Sequence, residues 1–492
     1  MKQVSIKKNF ILSTMYQILT LITPLFTAPY VSRVLGVENI GIYSYTFSIQ
    51  HYFVIAAALG TNAYGQREIA RVRDDTRRRS LLFWEIEVLS VTTTVVSLLF
   101  WSIVVFANAQ LRIYFLILSA NILAVLFDIS WFYAGLEHFE HTVLRNSFFK
   151  IAGVIAIFLF VKTENDLPIY MGIMVASTLL GNMSMWVHLP KYLVKIDWRE
   201  IRIARHFKET LIYFIPAVAT SIYSVLDKTL IGIITQSNAQ NGYYEQASKI
   251  INLAKPVCFG ALNAVISSRN SYLFAENRMT EVKKKIDDAM NYILFMGIGI
   301  CFGIWAVAAR FVPWFFGNGY EAVVGLLYIL SPIVLIIGVS TCLGANYYIP
   351  SGYRLRSAMY LIVGAAVNLV LNCIFIPKFA SYGAAVASVI AELVITILYM
   401  KNCDRFLTYR QLFLHGWKKI IAGVAMFAFI LLVDPFIKSD TIAIFSEVFA
   451  GVCVYALVLL LLKDSMVLWG IKVVKGKLGS LGGRNKDRGV RR

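Results

Sequence analysis

Long apolar runs, broken by short polar or basic stretches, organise this chain from end to end. Runs of about 20 apolar residues are long enough to cross a bilayer as a helix. Such runs fall near 10–35, 40–64, 81–106, 111–133, 148–162, 167–189, 210–234, 242–267, 289–316, 320–349, 357–377, 380–401, 419–437 and 441–462. The pattern predicts an all-α integral membrane protein with about fourteen transmembrane helices, the fifth of them short.

Within several spans the polar residues recur at helical spacing. Span 1 carries Ser13, Gln17, Thr20, Pro24 and Thr27; span 2 carries Gly41, Ser44, Ser48 and His51. Helix–helix contact and cavity lining both fit such uncharged stripes. Spans 7 and 8 add charge. Span 7 has Pro216, Thr220, Ser224 and the adjacent pair Asp227–Lys228, and span 8 has Glu245, Lys249, Asn252 and Lys255. Ionisable groups inside a membrane are costly and usually face a pathway or one another. These charges predict one wall of a substrate cavity, with structural ion pairing between helices as the competing account of each. Asp128 and Glu392 are single intramembrane acids, with a role in ion coupling as one reading. Pro24, Pro216 and Pro256 are positions where a span can kink.

The pattern also repeats. GIYSYTFSI from Gly41 resembles GYYEQASKI from Gly242, and GIMVAS from Gly172 resembles GAAVAS from Gly383. Two six-span halves in the same order account for both, a parallel repeat whose substrate site is expected between the halves. The predicted organisation is an N-lobe over 1–205 (spans 1–6), a C-lobe over 206–405 (spans 7–12), two appended spans over 406–465, and a basic cytoplasmic tail over 466–492.

Composition agrees. Of 492 residues, 58% are hydrophobic and 15% charged, against roughly 45–50% and 25% in soluble chains. The net charge of +19 changes the picture only through its placement. With the N-terminus inside, 38 of the 47 Lys and Arg fall in inner segments and six in outer ones. That bias predicts a multi-pass protein with both termini cytoplasmic. The basic runs then read as topology signals and contacts to anionic lipid, not as a nucleic-acid surface. The six cysteines show no metal-ligand or redox spacing. No phosphate loop, zinc motif or nucleophile elbow appears, and no loop could hold a catalytic domain. A secondary transporter is expected, not an enzyme, and no cofactor.

The stretches APYVSRVLGVENIGIYSY (28–45), FDISWFYAGLE (127–137), VLDKTLIG (225–232), GYYEQASKI (242–250), IPSGYRLRS (349–357) and VNLVLNCIFIPKFASYGAAVAS (367–388) together resemble the Wzx-type oligosaccharide flippases. These form the polysaccharide-transporter branch of the multidrug/oligosaccharidyl-lipid/polysaccharide exporter superfamily. The resemblance implies a two-lobed protein of the bacterial plasma membrane that moves undecaprenyl-diphosphate-linked repeat units from the inner to the outer leaflet. It implies a lipid-linked oligosaccharide as substrate, membrane lipids and polysaccharide-assembly proteins such as a polymerase as partners, and H+ or Na+ as coupling ion. A diphosphate calls for cations, which makes Arg33, Lys228, Lys249 and Lys255 candidate substrate groups with Asp227 and Glu245 as their partners. Arg33 would need a helix break near Pro29 to reach the polar face. The alternatives are a cation-coupled drug exporter, a lipid II flippase and a membrane enzyme of polymer assembly.

Overall fold

The computed structural model describes residues 6–472; the end of the basic tail, 473–492, lies outside the described residues, as do the side chains of Ser13, Pro216, Thr220 and Ser224. Every regular element among the described residues is helical. In order the α-helices are α1 (Ile6–Ala58), α2 (Thr61–Arg71), α3 (Thr76–Ala107), α4 (Arg112–Leu126), α5 (Ser130–Gly135), α6 (Phe139–Phe160), α7 (Leu167–Met185) and α8 (Ala204–Thr235). They continue as α9 (Asn238–Lys255), α10 (Ala261–Ala275), α11 (Met279–Phe316), α12 (Ala322–Leu330), α13 (Pro332–Leu343), α14 (Arg354–Lys401), α15 (Tyr409–Val433) and α16 (Asp440–Leu461).

Ten helical stretches among the described residues are long and apolar enough to span a membrane, so the protein is multi-pass. Two of the ten, Thr14–Arg71 and Arg354–Lys401, each cover two of the expected spans. The first breaks at Gly36, with φ 73° and ψ 170°, a region open essentially to glycine alone. The second breaks at Ala380, three residues after Pro377. The stretches over α8 and over α9–α10 are not among the ten; α9 carries Asn, Gln, Glu and Lys along its length. The ten stretches therefore cover twelve of the fourteen expected spans, all but those near 210–234 and 242–267. The fifth helix is longer than its apolar run suggested, because α6 begins at Phe139.

The prolines act unequally. Pro24 and Pro29 lie inside continuous helix. Pro256 opens a π-helical turn, Pro256–Gly260, between α9 and α10.

By packing, the chain divides into two compact units. Among the described residues the first comprises 6–245, 316–319 and 369–384. One of its apolar clusters gathers Val31, Leu35, Ile40, Trp101, Phe115, Ile122 and Met171 from α1, α3, α4 and α7. A second is aromatic and takes up the FDISWFYAGLE stretch: Trp131, Phe132 and Tyr133 are buried with Phe83 and Leu189. The Tyr133 hydroxyl donates to the Met185 carbonyl at 2.7 Å, which supplies the polar partner a buried tyrosine needs.

Among the described residues the second unit comprises 246–315, 320–368 and 385–472. Here α15 starts at a capping box: Thr408 N donates to Gln411 Oε1 at 2.9 Å and Gln411 N to Thr408 Oγ1 at 3.3 Å. Ala422, Met426 and Ile430 of α15 pack with Tyr455 and Leu459 of α16, and Phe295 and Phe302 of α11 close the cluster.

Candidate substrate site

Inside the first unit, the second half of α1 crosses the start of α9 at unusually short range. A Cβ on Gly41 would lie 1.7 Å from the Asn238 carbonyl oxygen, and one on Gly242 would lie 2.2 Å from that of Val37. Any side chain at either position would collide with backbone. The crossing is reciprocal: Val37 and Asn238 are as far apart in sequence as Gly41 and Gly242. One turn on, Ser44 Oγ donates to Glu245 Oε2 at 3.1 Å, between residues 201 apart. The offset is that of the repeat seen in the sequence, so corresponding residues of the two repeats meet here about a local two-fold.

Charge collects at this crossing. Lys228 Nζ of α8 stands 2.6 Å from Glu245 Oε2, with side-chain exposures of 17% and 10%. Asp227, one residue earlier on α8, points elsewhere and is buried. The Tyr244 hydroxyl donates to its Oδ2, and Asn372 Nδ2 donates to its Oδ1 at 2.7 Å. A neutral chain continues alongside, where Thr229 Oγ1 donates to Ser48 Oγ at 2.9 Å and lies 3.1 Å from the Tyr52 hydroxyl. Each buried charge thus has partners, as the low dielectric demands. The polar stripe of span 2 accordingly serves here as helix–helix contact.

Arg33 is exposed. The helix runs through Pro29 to Leu35 and breaks only at Gly36, beyond Arg33; the arginine's aliphatic stem lies against Gly317. In the second unit Lys249 and Lys255 are half-buried on α9, and Lys255 Nζ donates to Asn252 Oδ1 at 2.9 Å one turn back. Glu392 is buried in α14. Asp128 is half-buried between α4 and α5, taking hydrogen bonds from Ser130 N at 3.0 Å and Asn62 Nδ2 at 3.3 Å.

Several groups escaped the sequence reading. Asn372 and Tyr244 are uncharged and gave no signal of their own. Glu85, Glu87 and Glu447 are intramembrane acids that the rule applied to Asp128 and Glu392 could have found. Glu85 is fully buried and holds Arg205, His206 Nε2 at 2.9 Å and the Arg202 backbone N–H at 2.9 Å. Lys419, at the first position of span 13, is fully buried and donates to Asp464 Oδ2 at 2.9 Å, Asn291 Oδ1 at 2.7 Å and the His415 carbonyl at 2.7 Å. Among the described residues no group of His, Cys, Asp and Glu could hold a metal ion, and the six cysteines are free.

An all-helical, multi-pass chain with paired charges inside its spans has the architecture of a membrane transporter. It is similar to the solved structure titled "Lipid II flippase MurJ, inward closed conformation", with a TM-score of 0.74 over 93% of this chain and 100% of that one. It is also similar to an inward-facing multidrug resistance MATE family transporter, with a TM-score of 0.59 over 82% of this chain and 95% of that one. At 15% and 16% identity these likenesses show the fold alone. The family described as "Polysaccharide biosynthesis protein" matches residues 6–267, more than half of the chain, and the chain belongs to it. A relative from Escherichia coli (strain K12) named "Putative O-antigen transporter" is 24% identical over 416 residues, 81% of this chain and 96% of the relative. One from Haloferax volcanii named "Probable low-salt glycan biosynthesis flippase Agl15" is 26% identical over 256 residues, 50% of this chain and 52% of the relative. The membership agrees with the resemblance to Wzx-type flippases carried by the motifs.

Proposed function

We propose that this protein is a flippase for lipid-linked oligosaccharide, working by alternating access and performing no covalent chemistry. The observation that carries the reading is the Lys228–Glu245 pair inside the spans, with Asp227 held separately beside it, in a chain that matches the E. coli relative over nearly that protein's whole length. A transporter of an anionic headgroup needs cations it can expose in turn, and Lys228, partnered by Glu245 with 17% of its side chain exposed, has that property. Arg33, Lys249 and Lys255 are the further cations assigned to the diphosphate, with Asp227 and Glu245 as the groups that neutralise them between cycles. The two lobes over 1–205 and 206–405, the appended pair over 406–465, and cytoplasmic termini in a bacterial plasma membrane belong to the same proposal. So do membrane lipids and the polymerase as neighbours, and an H+ or Na+ gradient as the drive.

The test is deletion of the gene followed by assay of the lipid-linked repeat unit in each leaflet. Intermediates that accumulate on the inner leaflet and are restored to the outer one by the intact gene support the flippase. Cells that lack the lipid-linked intermediate altogether would place the protein in synthesis and overturn the reading.

A further inference from the structure

Among the intramembrane acids, Glu87 and Glu447 have buried carboxyl oxygens without a hydrogen-bond partner, and Glu87 is the one set inside the first unit. It lies on α3, only 2% exposed, and its Oε1 has no hydrogen-bond partner. Three elements carry the charges near it. At the end of α4 is Asp128, a like charge, whose field reaches Glu87. Helix α2 carries Glu68, which pairs with Arg67 and Arg71. The start of α8 carries Arg205 and His206, both held by Glu85 two residues before Glu87. From α1, which also packs on α3, His51 stacks on Phe47. No ion pair to Glu87 is present among the described residues. Seven residues on, Thr94 sits on the same face of α3, fully buried, and its Oγ1 also lacks a partner. Ser90 lies between them on that face, also buried.

An ionised carboxylate in such a place has neither solvent nor counter-charge, and a second carboxylate beside it raises the cost. The acid form has neither difficulty. Sodium would need a ring of oxygens, and the two unpartnered oxygens stand roughly 10 Å apart along the helix at about 1.5 Å per residue. A proton needs only one.

We propose that Glu87 is a proton-carrying site of the transport cycle, protonated in this conformation and released to water in one that wets the Glu87–Ser90–Thr94 face of α3. The carboxyl O–H bond breaks on release and the proton leaves to solvent; the negative charge left behind disfavours return to the dry state. Protonation and conformation are thereby coupled, because each state binds the proton differently. Asp128 sets the poise of the site as a positioning residue. This coupling role rests on the transporter reading, but the proton site itself does not.

The experiment uses the full-length protein in proteoliposomes without sodium. Infrared difference spectra between acid and alkaline buffer should show a protonated-carboxyl band that Glu87→Gln removes. Asp128→Asn should move the midpoint of that band to lower pH, since a like charge has gone. Absence of the band from the parent, or its survival in Glu87→Gln, overturns the site whatever the substrate is. Polysaccharide export in cells should lose its dependence on the external proton gradient in Glu87→Gln and keep part of it in Glu87→Asp. Export by Glu87→Gln with the parent's rate and gradient dependence overturns the coupling role. Both variants are compared at equal amounts of folded protein, judged by thermal unfolding.

Discussion

Two buried lysines show how differently this chain treats charge. Lys419, in the second unit, has all three ammonium donors on acceptors, an Asp464 carboxylate among them, and no solvent exposure. Lys228, in the first unit, faces Glu245 and keeps 17% of its side chain exposed. The Lys419 knot ties α15 to α11 and to the segment after α16, and nothing in it is spare. A saturated buried pair serves as a fastener, whereas one with residual access can exchange its partner. Saturation, not burial alone, separates a structural charge from a working one.

The largest effect is expected at the saturated site. Lys419→Met leaves Asp464 buried and unpaired, and loss of one partner of a buried pair costs about 3–5 kcal/mol. Thermal unfolding in detergent should show it as a marked fall in Tm, partly recovered when Asp464→Asn is added. Transport per folded molecule should stay as in the parent; a selective loss of transport would erase the contrast with Lys228.

The glycine crossing comes next. Gly41→Ala and Gly242→Ala each force the helices apart, an overpacking cost of about 1–3 kcal/mol. Because the contact is reciprocal, the two variants should fall in Tm by similar amounts. A penalty at only one of them would show that the local two-fold has no energetic counterpart.

At Lys228 the expected order of effects reverses. Lys228→Gln should cost less stability than Lys419→Met, because glutamine can still donate to Glu245, yet remove transport. The double variant Lys228→Gln/Glu245→Gln decides the cause: recovered export would make the pair structural, while continued loss keeps the lysine with the substrate.

The smallest effect calibrates the rest. Arg77 and Glu200 pair at 2.7 Å with both side chains largely exposed, and such pairs contribute little. Arg77→Ala should unfold within the scatter of the parent. A clear shift there would undermine reading the other variants by their burial.

The membrane class was legible because apolar run length is a one-dimensional signal. Gly36 and Pro256, where the chain does break, were visible as residue types, but Pro29 looked no different and lies in unbroken helix. Proline only removes a donor, and whether a helix stops there depends on what packs around the freed carbonyl. The residues at the candidate site were legible as unusual charges in apolar spans. Their pairings were not, since Lys228 chooses Glu245 over adjacent Asp227 by the directions α8 presents to α9.

Sequence by itself determined the all-helical membrane architecture and the charges at the candidate site. Periodicity, apolar length and internal similarity are properties of the string. Tertiary structure alone decided that Glu85 is held and Glu87, on the same turn, is not. It also decided that Lys419 is sealed, and that Asp227 belongs to a tyrosine and an asparagine. A charge is neutralised by what stands within a few ångströms, and neighbours at that range come mostly from distant parts of the chain.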